Sequence, residues 1–253
     1  MKKRLDVLLV DRGLAESRAQ AQALVLAGRV RGFDKPGTQV DADAAVEVVQ
    51  PAPYVSRGGE KLAHALDTFH VDPSGRDCLD VGASTGGFTD VLLQRSAARV
   101  IALDVGYGQL HERLRRDPRV TVLERTNARA VRELPFSPDL VVCDVSFISL
   151  ERVLPPVLAL AGPGWEAVVL VKPQFEAGRS EAPKGVVRDV AVRRRVVLRV
   201  ADAALAWGGE TAGVVDSGLP GPKGNREVFL HLVHREQPEL PDDIDERIAA
   251  EIR

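Results

Sequence analysis

With 253 residues, 45% of them hydrophobic, the chain has room for one full-sized α/β domain and a small module. No apolar run approaches the ~20 residues that cross a bilayer, and Met1-Lys2-Lys3-Arg4-Leu5-Asp6 turns polar too early for an export signal, so a cytoplasmic protein is expected. The net charge of −2 conceals two basic runs: eight Lys or Arg against four Asp or Glu in residues 1–35, and six against Glu181 and Asp189 in 179–195. Local excesses of this kind suit a polyanionic partner, although most isolated charge runs are solvated surface.

In chain order, Leu5, Leu8 and Leu9 recur at helical spacing over 4–12, Gly13 ends the pattern, and Ser17 is placed to cap a second helix reaching Ala27-Gly28. A turn over 32–37 and short strands around Val40 and over 45–49 complete a small α+β module at 1–50. Gln50-Pro51-Ala52-Pro53 breaks regular structure, which sets a linker at 51–56 and a second domain at 57–253. There the apolar runs 78–83, 99–105, 120–124, 140–145 and 167–171 read as strands buried on both faces. Helical stretches at 87–95, 150–161 and 189–207 separate most of them, which predicts a doubly wound, mainly parallel sheet. The runs 213–216 and 228–234 have no helix between them and predict an antiparallel hairpin at the sheet edge, making seven strands. Cys78 and Cys143 fall inside apolar runs and are expected as reduced core residues, with no metal site.

The first of these strands runs into Asp80-Val81-Gly82-Ala83-Ser84-Thr85-Gly86-Gly87-Phe88, a glycine-rich turn before a helix. Such a turn lets backbone amides approach a nucleotide cofactor. Asp104, at the end of the next strand and 22 residues after Gly82, is placed to accept both ribose hydroxyls. The Gly-x-x-x-Gly-Gly spacing, with an acidic strand rather than a diphosphate cradle, favours cationic S-adenosylmethionine over a dinucleotide. Asn127, in the loop after the third strand, is a candidate for the adenine and equally a turn-forming Asn. Asp144 follows the fourth strand, at the carboxyl edge where α/β sheets bind ligands.

Lys61, Asp144, Lys172 and Glu227, each unremarkable alone, resemble in this order the Lys-Asp-Lys-Glu tetrad of FtsJ-like ribose 2′-O-methyltransferases. Ser56-Arg57-Gly58-Gly59-Glu60-Lys61-Leu62, Leu170-Val171-Lys172-Pro173-Gln174-Phe175-Glu176 and Gly224-Asn225-Arg226-Glu227-Val228-Phe229 look like signatures of that family's TlyA branch, whose members also go by the name haemolysin. Through Arg4-Leu5-Asp6, Ser17-Arg18 and Gly28-Arg29-Val30, the N-terminal segment is similar to the alpha-L RNA-binding motif of a small-subunit ribosomal protein and several pseudouridine synthases. The match stops near residue 235, and the acidic tail beyond it carries no reading.

The resemblance implies methyl transfer from S-adenosylmethionine to a ribose 2′-hydroxyl, that of a cytidine, in ribosomal RNA or ribosomal subunits; the sequence leaves the oligomeric state open, with a monomer slightly favoured. Lys172 would accept the hydroxyl proton, for which it must be neutral in the reacting complex, a state favoured by desolvation and a neighbouring Lys61 cation. Asp144 and Glu227 would orient the two lysines, and Asp144 would also lie near the methionine part of the cofactor. Arg4, Arg18, Arg29 and Arg57 would contact RNA phosphates. Three rivals remain: a membrane-active haemolysin, disfavoured by the lack of an apolar span or aromatic-faced cationic helix; a non-catalytic RNA-binding factor, disfavoured by the complete tetrad; and a base methyltransferase, disfavoured by the lack of an Asn-Pro-Pro-Tyr-like or cysteine motif.

Overall fold

A computed structural model describes residues 2–49, 52–178 and 180–253, and the chain divides into two compact units, 1–53 and 54–253. Gln50 and Pro51 of the expected linker, and Arg179 of the second basic run, lie outside the described residues.

In the first unit β1 (Lys2–Arg4) pairs antiparallel with β2 (Gln39–Asp41), and between them lie α1 (Leu5–Asp11) and α2 (Arg18–Leu26). Ser17 caps α2 by accepting the Gln20 amide at 3.2 Å. Leu5, Leu8 and Leu9 meet Ala21, Val25, Val30 and Val40 in one core. The strand expected over 45–49 is only a single bridge, Val30 to Val48. Its partner lies between the left-handed glycines Gly28 and Gly32, too short a stretch of extended backbone for a ladder.

The second unit begins with α3 (Arg57–Phe69), then β3 (Asp77–Val81), α4 (Gly87–Gln94), β4 (Arg99–Leu103), α5 (Glu112–Arg115), β5 (Val120–Leu123), β6 (Leu140–Cys143), α6 (Leu150–Leu158), β7 (Glu166–Val171) and α7 (Pro173–Glu176). It ends with α8 (Val190–Leu205), β8 (Gly209–Asp216), β9 (Val228–His234) and α9 (Ile244–Glu251). The sheet order is β5-β4-β3-β6-β7-β9-β8, parallel through β7, with β9 antiparallel to both β7 and β8. Two apolar clusters cover the two faces, one built on α6, α8 and α9, the other on α3 and α4. Both cysteines are buried and free.

Helix α3 is absent from the sequence reading because Gly58-Gly59 obscures its period. Tertiary packing explains the second glycine: a Cβ on Gly59 would lie 2.5 Å from the Tyr54 ring. The acidic tail likewise forms α9, which buries Ile244 and Ile248.

Candidate active site

Because β6, β7 and β9 are neighbours, and β9 starts where the parallel strands stop, Val228 pairs with Val171 and Glu227 arrives at the edge already holding Asp144 and Lys172. Lys61 reaches the same edge from the buried face of α3, beside Leu62 and Ala65. The four residues form two ion pairs. Lys61 donates to Glu227 at 2.5 Å, with side chains 9% and 1% exposed. Lys172 pairs with Asp144 and donates to the Ser146 hydroxyl at 3.2 Å, with 11% and 24% exposure. Gln174 joins the pairs, since it lies two residues after Lys172 and donates to the second Glu227 oxygen at 3.1 Å. Each lysine therefore has its own carboxylate, rather than standing as a bare cation beside the other.

A cleft of about 490 Å³ lies along the ends of β3, β4, β5 and β6, lined by Gly82, Ser84, Asp104, Asn127 and Asp144 among others. A smaller hollow of about 200 Å³ is lined by Gly58, Ala83, Phe88 and Lys172 and shares Gly82, Ser84, Asp144 and Ser146 with the cleft. Most of the expected cofactor residues, Asp80 and Gly86 excepted, thus line these two adjoining cavities, as does the Lys172–Asp144 pair. Gly82, at φ 87°, has no room for a side chain: a Cβ would strike the Asp144 carbonyl. Asp104 accepts the Ser84 amide at 2.8 Å and the Gly106 amide at 2.6 Å, one on each oxygen, which fixes the loop around it. Asn127 uses its side-chain oxygen to cap the turn Ala128–Ala130 and also lines the cleft, so both readings of it fit.

Three expected cofactor contacts take a different form. Gly86 is buried away from the cleft, where a Cβ would collide with Leu110 and Leu114, and Gly87 backs onto Ser56 and Gly59 of the adjoining helix. Both glycines serve helix packing, although Gly87 also touches the hollow. Asp80 is fully buried, borders neither cavity, and accepts the Thr89 amide at 2.9 Å and its hydroxyl at 2.7 Å. Burial pushes its carboxyl up to about 7, with Asp144 and Asp104 contributing. Its Oδ1 has no hydrogen-bond partner among the described residues. The Asp104 and Asp144 carboxylates on the cleft wall make a negative field that fits a sulfonium and an ammonium group, and the glycine at 82 fits close backbone approach; the residues present suit S-adenosylmethionine. Gln109, Thr126 and Phe147 also line the cleft and carried no sequence signal; Gln174 lay within a quoted motif and could have been found there.

The arginines expected on RNA differ in environment. Arg4 and Arg18 both bond to Asp6, at 2.9 and 3.2 Å, together with Gln22 at 2.9 Å, and Arg4 above all holds that buried carboxyl far below the usual range. Their side chains remain 45% and 57% exposed. Arg29 is half-buried, and Arg57 is exposed and donates to the Pro220 carbonyl at 3.0 Å.

Residues 54–234 match the FtsJ-like methyltransferase family and residues 3–31 match the S4 domain. The chain is 52% identical, over 90% of its length and 89% of the relative's, to the 16S/23S rRNA (cytidine-2′-O)-methyltransferase TlyA of Mycobacterium tuberculosis. It is 39% identical to Hemolysin A of Brachyspira hyodysenteriae, over 91% and 99% of the two chains. A solved hemolysin-like protein of Streptococcus thermophilus superimposes with a TM-score of 0.76 at 39% identity, covering 98% of this chain and 95% of that one. On the family match and these identities, the chain belongs to the FtsJ-like methyltransferase family, in its TlyA branch.

Proposed function

We propose that this protein transfers a methyl group from S-adenosylmethionine to the 2′-hydroxyl of a cytidine in ribosomal RNA, acting in the cytoplasm as a monomer. One observation carries the reading: Asp144, paired to Lys172, borders both the larger cleft and the adjoining hollow, so a methyl donor in one and a ribose in the other would meet at that pair. Asp104, Gly82, Ser84 and Asn127 hold the cofactor in the cleft, with Ala83 and Phe88 closing its hollow side. The bound cofactor supplies an activated methyl on a sulfonium. A ribose hydroxyl is a weak nucleophile near neutral pH and needs its proton taken as the new bond forms.

Lys172 is the group in reach of that task. In its neutral form, with its own proton released to solvent, it would offer its lone pair to the 2′-hydroxyl proton, and the Ser146 hydroxyl lies within hydrogen-bond distance of the amine. Lys61 and Glu227, tied to this turn through Gln174, fix the floor of the site and exclude water, so positioning supplies much of the remaining rate. Residues 1–50 act as the RNA-binding module through Arg4, Arg18 and Arg29, with 51–56 as linker and 57–253 as catalytic domain. No helix among the described residues is long and apolar enough to cross a membrane.

The test is methyl transfer from labelled S-adenosylmethionine to ribosomal RNA, followed by mapping of alkali-resistant linkages. The proposal requires label on cytidine ribose. Label on a base, or no transfer to naked RNA or ribosomal subunits, would sink it.

A further inference from the structure

The tripeptide Pro-Lys-Gly occurs twice in the second unit, at 183–185 and 222–224. Both copies fold alike: Lys184 (φ 57°, ψ 20°) and Lys223 (φ 57°, ψ 19°) are left-handed, and each is followed by a glycine at φ 78°. The two turns are fastened together. Lys223 Nζ donates to the Lys184 carbonyl at 3.1 Å, and Asn225, 4% exposed, donates to the Gly185 carbonyl at 2.9 Å while accepting the Val187 amide at 3.3 Å. The second turn runs straight into the site. The Gly221 amide donates to the Asn225 carbonyl at 2.8 Å, and a Cβ on Gly221 would strike the Glu227 carboxylate. Arg57 approaches the same loop through its bond to Pro220.

Three of the six basic residues of the second run are committed elsewhere. Arg193 donates to the Arg253 carbonyl at 2.9 Å, Arg194 to that of Ile252 at 2.8 Å, and Arg195 pairs with Glu181. Lys184, Lys223 and Arg57, like the exposed Arg188, have no carboxylate within ion-pair distance among the described residues; Lys223 and Arg57 donate only to backbone carbonyls. Two exposed lysines thus stand on turns that are hydrogen-bonded to each other, and an anion bound beside both would be attracted by each. A nucleic-acid backbone supplies such anions in a row.

We propose that the twin turns form a phosphate clamp, with Lys184 and Lys223 and the adjoining Arg57 gripping RNA backbone phosphates beside the target nucleotide. The proposal rests on the reading of this site as an RNA methyltransferase. It is tested by measuring the affinity of the full-length protein for purified ribosomal RNA across a range of KCl concentrations. The double variant Lys184→Gln/Lys223→Gln is expected to flatten the log–log salt slope by roughly 1.5, about 0.7 to 0.9 for each phosphate lost. The pair Lys184→Arg/Lys223→Arg is expected to restore the slope. Unchanged S-adenosylmethionine affinity shows that the glutamine variant is folded; if that affinity falls, the arginine pair decides, and a slope as low as with glutamine overturns the clamp. An unchanged slope in a folded glutamine variant also overturns it, while wild-type methylation of the same RNA keeps the functional reading. If the wild type neither binds nor methylates this RNA, both fall together.

Discussion

The two lysine–carboxylate pairs use the same chemical groups in different settings. Lys61–Glu227 is sealed, with Glu227 at 1% exposure and Gly221 against it, whereas Asp144 is 24% exposed and its pair with Lys172 borders open space. The sealed pair cannot meet a substrate without rearranging, while the open pair can meet one directly. On the proposed reading the chemistry falls to Lys172 and the architecture to Lys61, although the sequence presents the two as equivalent members of one tetrad.

The largest expected effect separates them. Lys172→Ala should lower the single-turnover methylation rate by ~10²- to 10⁴-fold, the usual range for losing proton-transfer help, with cofactor affinity nearly intact. A loss of cofactor binding equal to the loss in rate would mean that Lys172 holds the cofactor instead. Lys61→Met should act on stability as well as on rate, because it leaves Glu227 buried without its cation, a cost of about 3–5 kcal/mol. Chemical denaturation measures this, and the same loss in Lys172→Ala would erase the distinction between the pairs.

The cofactor loop sharpens the comparison at smaller scale. Asp104→Ala should weaken S-adenosylmethionine binding in calorimetry by freeing the Ser84 and Gly106 amides. Gly86→Ala should instead lower stability, since its φ of 97° and its contacts with Leu110 and Leu114 oppose any side chain. If the alanine at 86 leaves stability unchanged and weakens cofactor binding, the packing role is wrong.

Asp80 yields a smaller effect with a definite sign. Its carboxyl is pushed up to about 7, against about 4 in an unfolded chain, so between those values the native protein keeps a proton that the unfolded chain has released. Stability due to this group falls as pH rises from about 4 to 7 and is flat on either side. Asp80→Asn should remove that segment from the difference in denaturation midpoints; parallel curves would refute the assignment.

How much of this was legible in the sequence depended on range. The five parallel strands, the edge hairpin and the Ser17 cap follow from local periodicity and turn chemistry, and each formed. The ends of those strands also located Asp144 and Lys172. What local pattern could not give was partnership: Lys61 and Glu227 are 166 residues apart, and only the antiparallel insertion of β9 brings them together. The same limit hid α3, whose second glycine packs against Tyr54, and gave no sign that a side chain at Gly86 would meet Leu110 and Leu114. The basic run at 179–195 looked uniform, yet Arg193, Arg194 and Arg195 bond to the C-terminal segment and Glu181, which leaves Lys184 and the exposed Arg188 among its described cations.

The central claim, that Lys172 takes the ribose proton, is tested most directly by Lys172→Arg in a single-turnover assay beside Lys172→Ala. A guanidinium keeps the charge and can still pair with Asp144, but it cannot give up its proton in a protein. The account predicts that arginine is nearly as inactive as alanine. Substantial activity in the arginine variant would contradict it and reduce Lys172 to a positioning charge.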